Sequence, residues 1–177
     1  MRRYILFITV ILFSGHILSQ ENAAEKYIKQ IEGKLDKAKA AIDQDLTDTE
    51  KAKDAANWYL KAYIYAEISK SEVYSQLCEK PAYESLKAIQ KCYALDKEKE
   101  LHSECINVLF ETGTVFYDRA ITNYNRGINQ KSSHYFTAAL EEFEYFFETI
   151  ETLGDDDKMI KHLLEYNNIN PNSTVVY

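Results

Sequence analysis

The stretch that decides the fold is Asn57-Trp58-Tyr59-Leu60-Lys61-Ala62-Tyr63-Ile64-Tyr65, which holds the only tryptophan of the chain. A large aromatic residue is followed four residues later by a small one and three residues after that by another aromatic, as Trp58, Ala62 and Tyr65. Steps of three and four residues keep side chains on one face of an α-helix. A small residue between two large ones lets a second helix approach closely, so the stretch predicts a helix–helix contact.

The composition of the whole chain also favours helices. Five glycines and two prolines in 177 residues are few for the turns that a β-sheet needs. The length is enough for a single domain with its own core. The formal net charge of −7 argues against nucleic-acid binding, which needs a basic surface, and against docking on anionic lipid. We therefore expect one all-α domain that binds neither nucleic acid nor anionic lipid.

The first residues are typical of a secretory signal peptide. Arg2 and Arg3 precede the apolar run 4–13, and Ser19 supplies a small residue before a possible cleavage point. The apolar run is short for a membrane span, although an uncleaved N-terminal anchor is the alternative. We expect residues 1–19 to be removed and the remaining chain to be exported as a single helical domain over residues 20–177.

Apolar residues at helical spacing predict about six to seven helices in the chain, the signal helix included. Thr47 with Glu50 has the spacing of a capping box, Pro81 suits the first turn of a helix, and Gly127 and Gly154 suit helix ends. The predicted units are an N-terminal helix over 22–42, a first helix pair over 49–95, a second pair over 98–153 and a partial unit over 155–177.

The helix pairs carry an internal repeat. The pattern of Trp58, Ala62 and Tyr65 returns 51 residues later as Leu109, Gly113 and Phe116. The second helices repeat a comparable pattern with an offset of 54 residues. Matching patterns in successive helix pairs predict a helical solenoid. The second-helix residues are Ser85, Ile89 and Cys92 in the first pair, and Ala139, Phe143 and Phe146 in the second.

On these residues the chain resembles the tetratricopeptide repeat family, in the divergent form exported by Gram-negative bacteria, over about 49–153. The resemblance implies a right-handed solenoid of antiparallel helix pairs, located in the periplasm or cell envelope. The units are longer than the family repeat of about 34 residues, and Lys97 stands where a turn proline is expected. The residues expected to pack the repeats are Trp58, Ala62, Tyr65, Leu109, Gly113, Phe116, Ala139, Phe143 and Phe146.

Members of this family bind peptides on the concave face of their first helices, so the resemblance implies a partner-binding surface here. The alternative is that the aromatic residues of this surface pack against the 22–42 helix. The function that follows is an exported adaptor or scaffold for another protein. The alternative function is a structural component of an envelope assembly that self-associates through its apolar C-terminal end. The expected binding residues are Tyr59, Tyr63, Asn107, Phe110, Thr114, Tyr117 and Asp118.

Motifs for other chemistry are missing from the sequence. It has no His-Glu-x-x-His or Cys-x-x-Cys motif and no glycine-rich phosphate loop, so we predict no catalytic residues, no metal site and no cofactor. The neighbours Glu141 and Glu142 diverge on a helix and are expected to form a solvated face. Of the three cysteines, Cys92 and Cys105 would pair in an exported chain, but we favour buried thiols for Cys78 and both of these.

Overall fold

The computed structural model describes residues 34–154 and 156–167. These residues form six α-helices and two short 3-10 turns, at 51–53 and 75–77, and no strand, which confirms the all-α class. The predicted signal peptide, the start of the 22–42 helix and the C-terminal end lie outside the described residues. None of the described helices is both long and apolar enough to cross a membrane. The helices are α1 (Leu35–Asp45), α2 (Ala55–Lys70), α3 (Pro81–Leu95), α4 (His102–Gln130), α5 (Ser133–Leu153) and α6 (Asp157–Tyr166).

The helices pack as two antiparallel hairpins, α2 with α3 and α4 with α5, and these are the most extensive contacts in the molecule. Helix α4 also touches α2, α3 and α6, and therefore lies at the centre. Buried apolar residues of α2 to α6 form the main core. A second core lies between α1 and α2, built by Leu35 and Ile42 on one side and Ile64, Tyr65 and Ile68 on the other.

Ala62 marks the point where three helices meet. Its carbonyl oxygen accepts a hydrogen bond of 2.8 Å from Ser85 Oγ of α3. The same Ser85 hydroxyl lies 3.1 Å from Thr112 Oγ1 of α4. All three residues have no exposed surface. The close approach that the small residue predicted therefore exists, and buried hydroxyls fill it.

Gly113 occupies the corresponding point of the next unit. A Cβ atom placed on Gly113 would lie 3.1 Å from Thr149 Cγ2 of α5 and 3.2 Å from Leu163 Cδ2 of α6. Both distances are at the tight end of van der Waals contact, so the backbone of α4 approaches two helices here. Ala62 and Gly113 thus both mark close approaches between helices, as the small residues in their shared pattern predicted.

Most of the expected packing residues are buried, and the exceptions have local causes. Trp58 is partly exposed, and its Nε1 donates a hydrogen bond of 2.8 Å to the carbonyl oxygen of Ala52 in the preceding 3-10 turn. Phe143 is partly exposed at the edge of the α4–α5 hairpin. The buried ones are Ala62, Tyr65, Leu109, Gly113, Phe116, Ala139 and Phe146.

The predicted equivalence of second-helix residues 54 positions apart is wrong. Ser85 lies beside Ala62, whereas the α5 residue beside Gly113 is Thr149 rather than Ala139. The cause is the length of the second hairpin. Helix α2 continues eight residues beyond Ala62, but α4 continues seventeen beyond Gly113. The α4–α5 hairpin therefore extends past the end of the α2–α3 hairpin.

Two helix ends also differ from the predictions. The predicted capping box at residues 47–50 does not form, because α2 starts at Ala55 and its cap is Asp54, whose carboxylate accepts from the Ala56 N–H. Gly127 lies inside α4, where a Cβ would lie 2.9 Å from the ring of Phe136. This glycine serves close packing within the hairpin. Helix α4 ends instead at Gln130, and the following residue Lys131 adopts a left-handed φ of 50°.

Two other predicted helix ends are confirmed. Pro81 is the first residue of α3, where its missing N–H costs no intrahelical hydrogen bond. Gly154 follows α5 with a φ of +63°, a backbone conformation that glycine adopts without strain. The start of α6 is fixed by Asp156, whose carboxylate accepts a hydrogen bond of 3.1 Å from the Met159 N–H.

Candidate partner-binding surface

The two predicted binding residues of α2 take part in packing. Tyr59 and Tyr63 are partly buried against the main core. Burial, reinforced by the nearby Glu104 carboxylate, raises the pKa of Tyr59 to about 12, so its hydroxyl is neutral at physiological pH. The structure does not place α2 aromatics on an open surface.

The predicted binding residues of α4 share one side of that helix, and α6 covers the base of this side. The Phe110 ring stacks on His162, with centroids 5.0 Å apart and planes inclined by 20°. It also meets Tyr166 edge-on at 5.3 Å. The Thr114 hydroxyl donates to the Phe110 carbonyl oxygen, while Asn107 is exposed. Phe110, which was expected to bind a partner, is therefore already covered by α6.

Beyond α6 the same side of the hairpin stays open. The Tyr117 ring lies 6.1 Å from Phe143, and Tyr124 lies 5.8 Å from Phe136, centroid to centroid. These contacts join a stripe on α4 to a stripe on α5, each built on steps of three and four residues. We call the combined surface the distal face. It consists of Tyr117, Ile121, Tyr124, Ile128, Phe136, Leu140, Phe143 and Phe147.

Large apolar side chains are exposed on the distal face. Exposed fractions are 46% for Tyr124, 51% for Ile128, 64% for Leu140 and 50% for Phe147. Only two other large hydrophobic residues of the described chain are exposed, Tyr166 at the base of this surface and Val73 in a distant turn. Single exposed apolar residues are ordinary, but a contiguous group marks an interaction surface.

Three carboxylates border the distal face, together with the basic residues Arg126 and Lys131, which are also exposed. Asp118 and Glu144 each follow a residue of the face, so each points about 100° further round its helix. Glu151 lies one turn beyond Phe147 on α5. All three are exposed carboxylates. A ligand on this face therefore meets an apolar centre whose α5 border, at Glu144 and Glu151, is negatively charged.

The opposite side of the hairpin is attached to α3. Glu148 of α5 accepts from Lys87 Nζ at 2.6 Å and from Gln90 Nε2 at 2.9 Å. Lys80 forms an ion pair with Glu141, which lies about two turns before Glu148 on α5. These contacts hold the hairpin on α3, so the distal face is presented on a supported scaffold. In the sequence this surface consists of two apolar stripes at helical spacing. Their spacing is the same as that of buried stripes, so the sequence alone does not show that they are exposed.

A polar cavity of about 680 Å³ lies at the other end of the molecule, between the α3–α4 and α5–α6 turns. Its carboxylates already serve the helix ends: Asp96 accepts from the Glu100 and Leu101 N–H groups, and Asp156 caps α6. Within the part of the chain that the structure describes, no group of three or more His, Cys, Asp or Glu residues could hold a metal ion.

No protein-family model matches the chain, and no curated protein or solved structure matches it.

Proposed function

We propose that the chain is an exported helical-repeat adaptor whose distal face binds an amphipathic helix of another protein. The observation that carries this proposal is α6. It is itself an amphipathic helix, it lies on the base of the same surface through Phe110 and Gly113, and it leaves the apolar surface beyond it open. A partner helix would continue the contact that α6 begins. This mode of recognition is the helix-in-groove mode.

The repeat architecture supports the proposal. The offset of 51 residues from Leu109, Gly113 and Phe116 leads to Ile160, Leu164 and Asn167 at α6. Ile160 packs on the main core, and the other two residues are 5% and 6% exposed. We therefore propose that α6 is the first helix of a third unit in a right-handed solenoid of the tetratricopeptide type. In such an array each first helix covers the one before it.

The chemistry of the partner follows from the rim. An apolar stripe is needed to cover Tyr124, Ile128 and Leu140, and basic flanks are needed opposite Asp118 and Glu144. Charge complementarity of this kind favours the right partner and disfavours acidic ones. Because the hairpin is already folded and attached to α3, little conformational entropy is lost on binding.

The proposal is tested with two designed helical peptides that share a leucine stripe and differ in their flanks, lysine in one and glutamate in the other. Binding of each labelled peptide to the full chain is measured by fluorescence anisotropy. We expect the lysine peptide to bind more tightly. The variant Leu140→Gln should weaken it about tenfold, since a buried leucine contributes roughly 1.5 kcal/mol or more.

The matched control is Val73→Gln, because Val73 is 81% exposed but lies in the α2–α3 connection, away from the distal face. This variant should bind the lysine peptide like the wild type. Equal binding of both peptides, or equal losses in the two variants, would contradict the proposal. A dimer that Leu140→Gln dissociates in analytical ultracentrifugation would instead assign the face to a second copy, the self-associating alternative.

Export is a separate part of the proposal and rests on the sequence of residues 1–19. Its measurement is the N-terminal mass of the protein recovered from the periplasm of a Gram-negative host. We expect the mature chain to begin at Gln20. Recovery of the intact chain in the membrane fraction would support the uncleaved anchor instead.

A further inference from the structure

Two cysteines face each other where α3 leads into α4. Cys92 lies in the last turn of α3 and Cys105 in the first turn of α4. Their sulfur atoms are 3.4 Å apart, and neither residue has exposed surface. In the structure both are free thiols. The contact is independent of the distal face and has no part in the proposed binding function.

The connection between the two helices holds this pair together. The Asp96 carboxylate accepts hydrogen bonds from the backbone N–H groups of Glu100 at 3.0 Å and Leu101 at 2.9 Å. Lys99 turns the chain with a left-handed φ of 57°. A disulfide bond is about 2.05 Å long, so the sulfurs need to approach by about 1.4 Å. Side-chain rotation at two adjoining helix ends can supply a movement of that size.

We infer that Cys92 and Cys105 form an intramolecular disulfide when the chain meets a disulfide-donating oxidant, and that this bond links α3 to α4. The oxidant is a small-molecule or protein disulfide, such as oxidised glutathione. The thiolate of one of the two cysteines attacks the oxidant, forms a mixed disulfide and releases one thiolate. The thiolate of the other cysteine then attacks the protein sulfur of this mixed disulfide, which completes the protein disulfide and releases the second thiolate. The oxidant gains two electrons and, with the two protons lost by the protein, leaves as two thiols.

The two thiols affect each other in the folded chain. The hydrogen bond from the Cys105 thiol lowers the pKa of Cys92 from its usual value, against the opposing effect of burial. The hydrogen bond to Cys92, together with burial, raises the pKa of Cys105. Cys78 is partly exposed and far from this pair along the chain, so it stays outside the reaction.

Burial also determines when the bond forms. Neither sulfur can reach an oxidant while α3 and α4 are packed, so oxidation occurs before these helices pack or during their local opening. The experiment therefore unfolds the full chain under reducing conditions and refolds it with a mixture of oxidised and reduced glutathione. The product is denatured, alkylated with a maleimide and digested with trypsin without reduction. Trypsin cuts after Lys97 and Lys99, between the two cysteines.

We expect maleimide to label only Cys78 in the refolded chain, and all three cysteines after reduction. The digest should contain peptide 92–97 joined to peptide 100–119, lighter by two hydrogen atoms than the sum of the two peptides. Cys78→Ala should leave this product unchanged, and Cys105→Ala should remove it. Cys105→Ala replaces one small buried residue by another, and the masses of its tryptic peptides are sufficient to show that the cross-linked product is absent. Three labelled cysteines after refolding, or a dimer linked through Cys78 with Cys92 and Cys105 labelled, would overturn the inference.

Discussion

The Phe110 ring stacks on the His162 ring with centroids 5.0 Å apart and an interplanar angle of 20°. This contact is where α6 closes the base of the α4–α5 hairpin. About two and four turns further along α4, the rings of Tyr117 and Tyr124 contact rings of α5. The boundary between covered and open apolar surface therefore lies between Phe110 and Tyr124, and it defines the distal face.

Gly113→Ala should lower the free energy of unfolding by about 1 kcal/mol. The added Cβ would lie 3.1 Å from Thr149 and 3.2 Å from Leu163, and overpacking of this kind costs about 1–3 kcal/mol. The higher helix propensity of alanine stabilises the folded state by about 1 kcal/mol, which offsets part of this loss. Urea denaturation measures the difference, with Asn125→Ala at an exposed position of α4 as the control. Equal stability gains in the two variants would show that α5 and α6 do not press on Gly113.

Ser85 and Thr112 should be energetically coupled. Their hydroxyls are 3.1 Å apart in a site without exposed surface, and Ser85 also donates to the Ala62 carbonyl oxygen. We expect Ser85→Ala to lower the free energy of unfolding by about 1 kcal/mol. In a double-mutant cycle with Thr112→Val the coupling should reach about 0.5 kcal/mol or more. Additive effects would place the two hydroxyls in separate hydrogen bonds.

Glu142→Gln should stabilise the protein at neutral pH. Burial raises the pKa of the Glu142 carboxyl, and its Oε2 has no hydrogen-bond partner among the described residues. A carboxyl whose pKa is raised by folding binds protons more readily in the folded state, so its ionisation destabilises the fold as pH rises. The gain at pH 7 should be up to about 1 kcal/mol and should vanish below about pH 4, measured by urea denaturation.

The neighbouring Glu141→Gln should have the opposite sign. Hydrogen bonds from Lys80 and Tyr145 lower the pKa of Glu141, so its contribution to stability is present at neutral pH and is lost as pH falls through the folded-state pKa. Because Glu141 is largely exposed at the surface, the effect should be small. If both variants shift stability in the same direction at pH 7, the assigned environments of the two carboxyls are wrong.

Tyr65→Phe should loosen α1 while leaving the rest of the fold intact. The Tyr65 hydroxyl donates to the Asp43 carboxylate at 2.8 Å, and burial raises the pKa of Tyr65 to about 12, which keeps it a donor. A hydrogen bond to a charged group contributes about 1.5 kcal/mol, so amides of α1 should exchange about tenfold faster. Tyr124→Phe on the distal face is the control. Unchanged exchange in α1 would mean that the apolar contacts of Leu35 and Ile42 suffice.

The sequence predicted the close helix contacts better than the helix lengths. A small residue between large ones at helical spacing has few structural meanings, and Ala62 and Gly113 both mark such contacts. Gly127 has the same local signature as a helix end, but it packs against Phe136 inside α4. Propensity could not separate the two, because the deciding factor is a residue from the next helix.

The candidate site was less predictable than the fold. Phe110 and Tyr124 belong to the same stripe, and only the position of α6 makes one covered and the other 46% exposed. In the same way Glu141 and Glu142 differ by one residue, but one pairs with Lys80 and the other turns inward. Exposure depends on where neighbouring helices end, and that information is not contained in local spacing.

Methyl NMR on the full chain tests the distal face most directly. Selective labelling of isoleucine, leucine and valine methyl groups reports on Ile128 and Leu140 on the face, on Val73 as an exposed apolar control, and on Leu86 in the core. On titration with the lysine-flanked peptide, we predict that the signals of Ile128 and Leu140 shift and saturate together while those of Val73 and Leu86 stay in place. Shifts at Val73 of similar size, or no shift at Ile128 and Leu140 when the peptide is bound, would contradict the distal face as the binding surface.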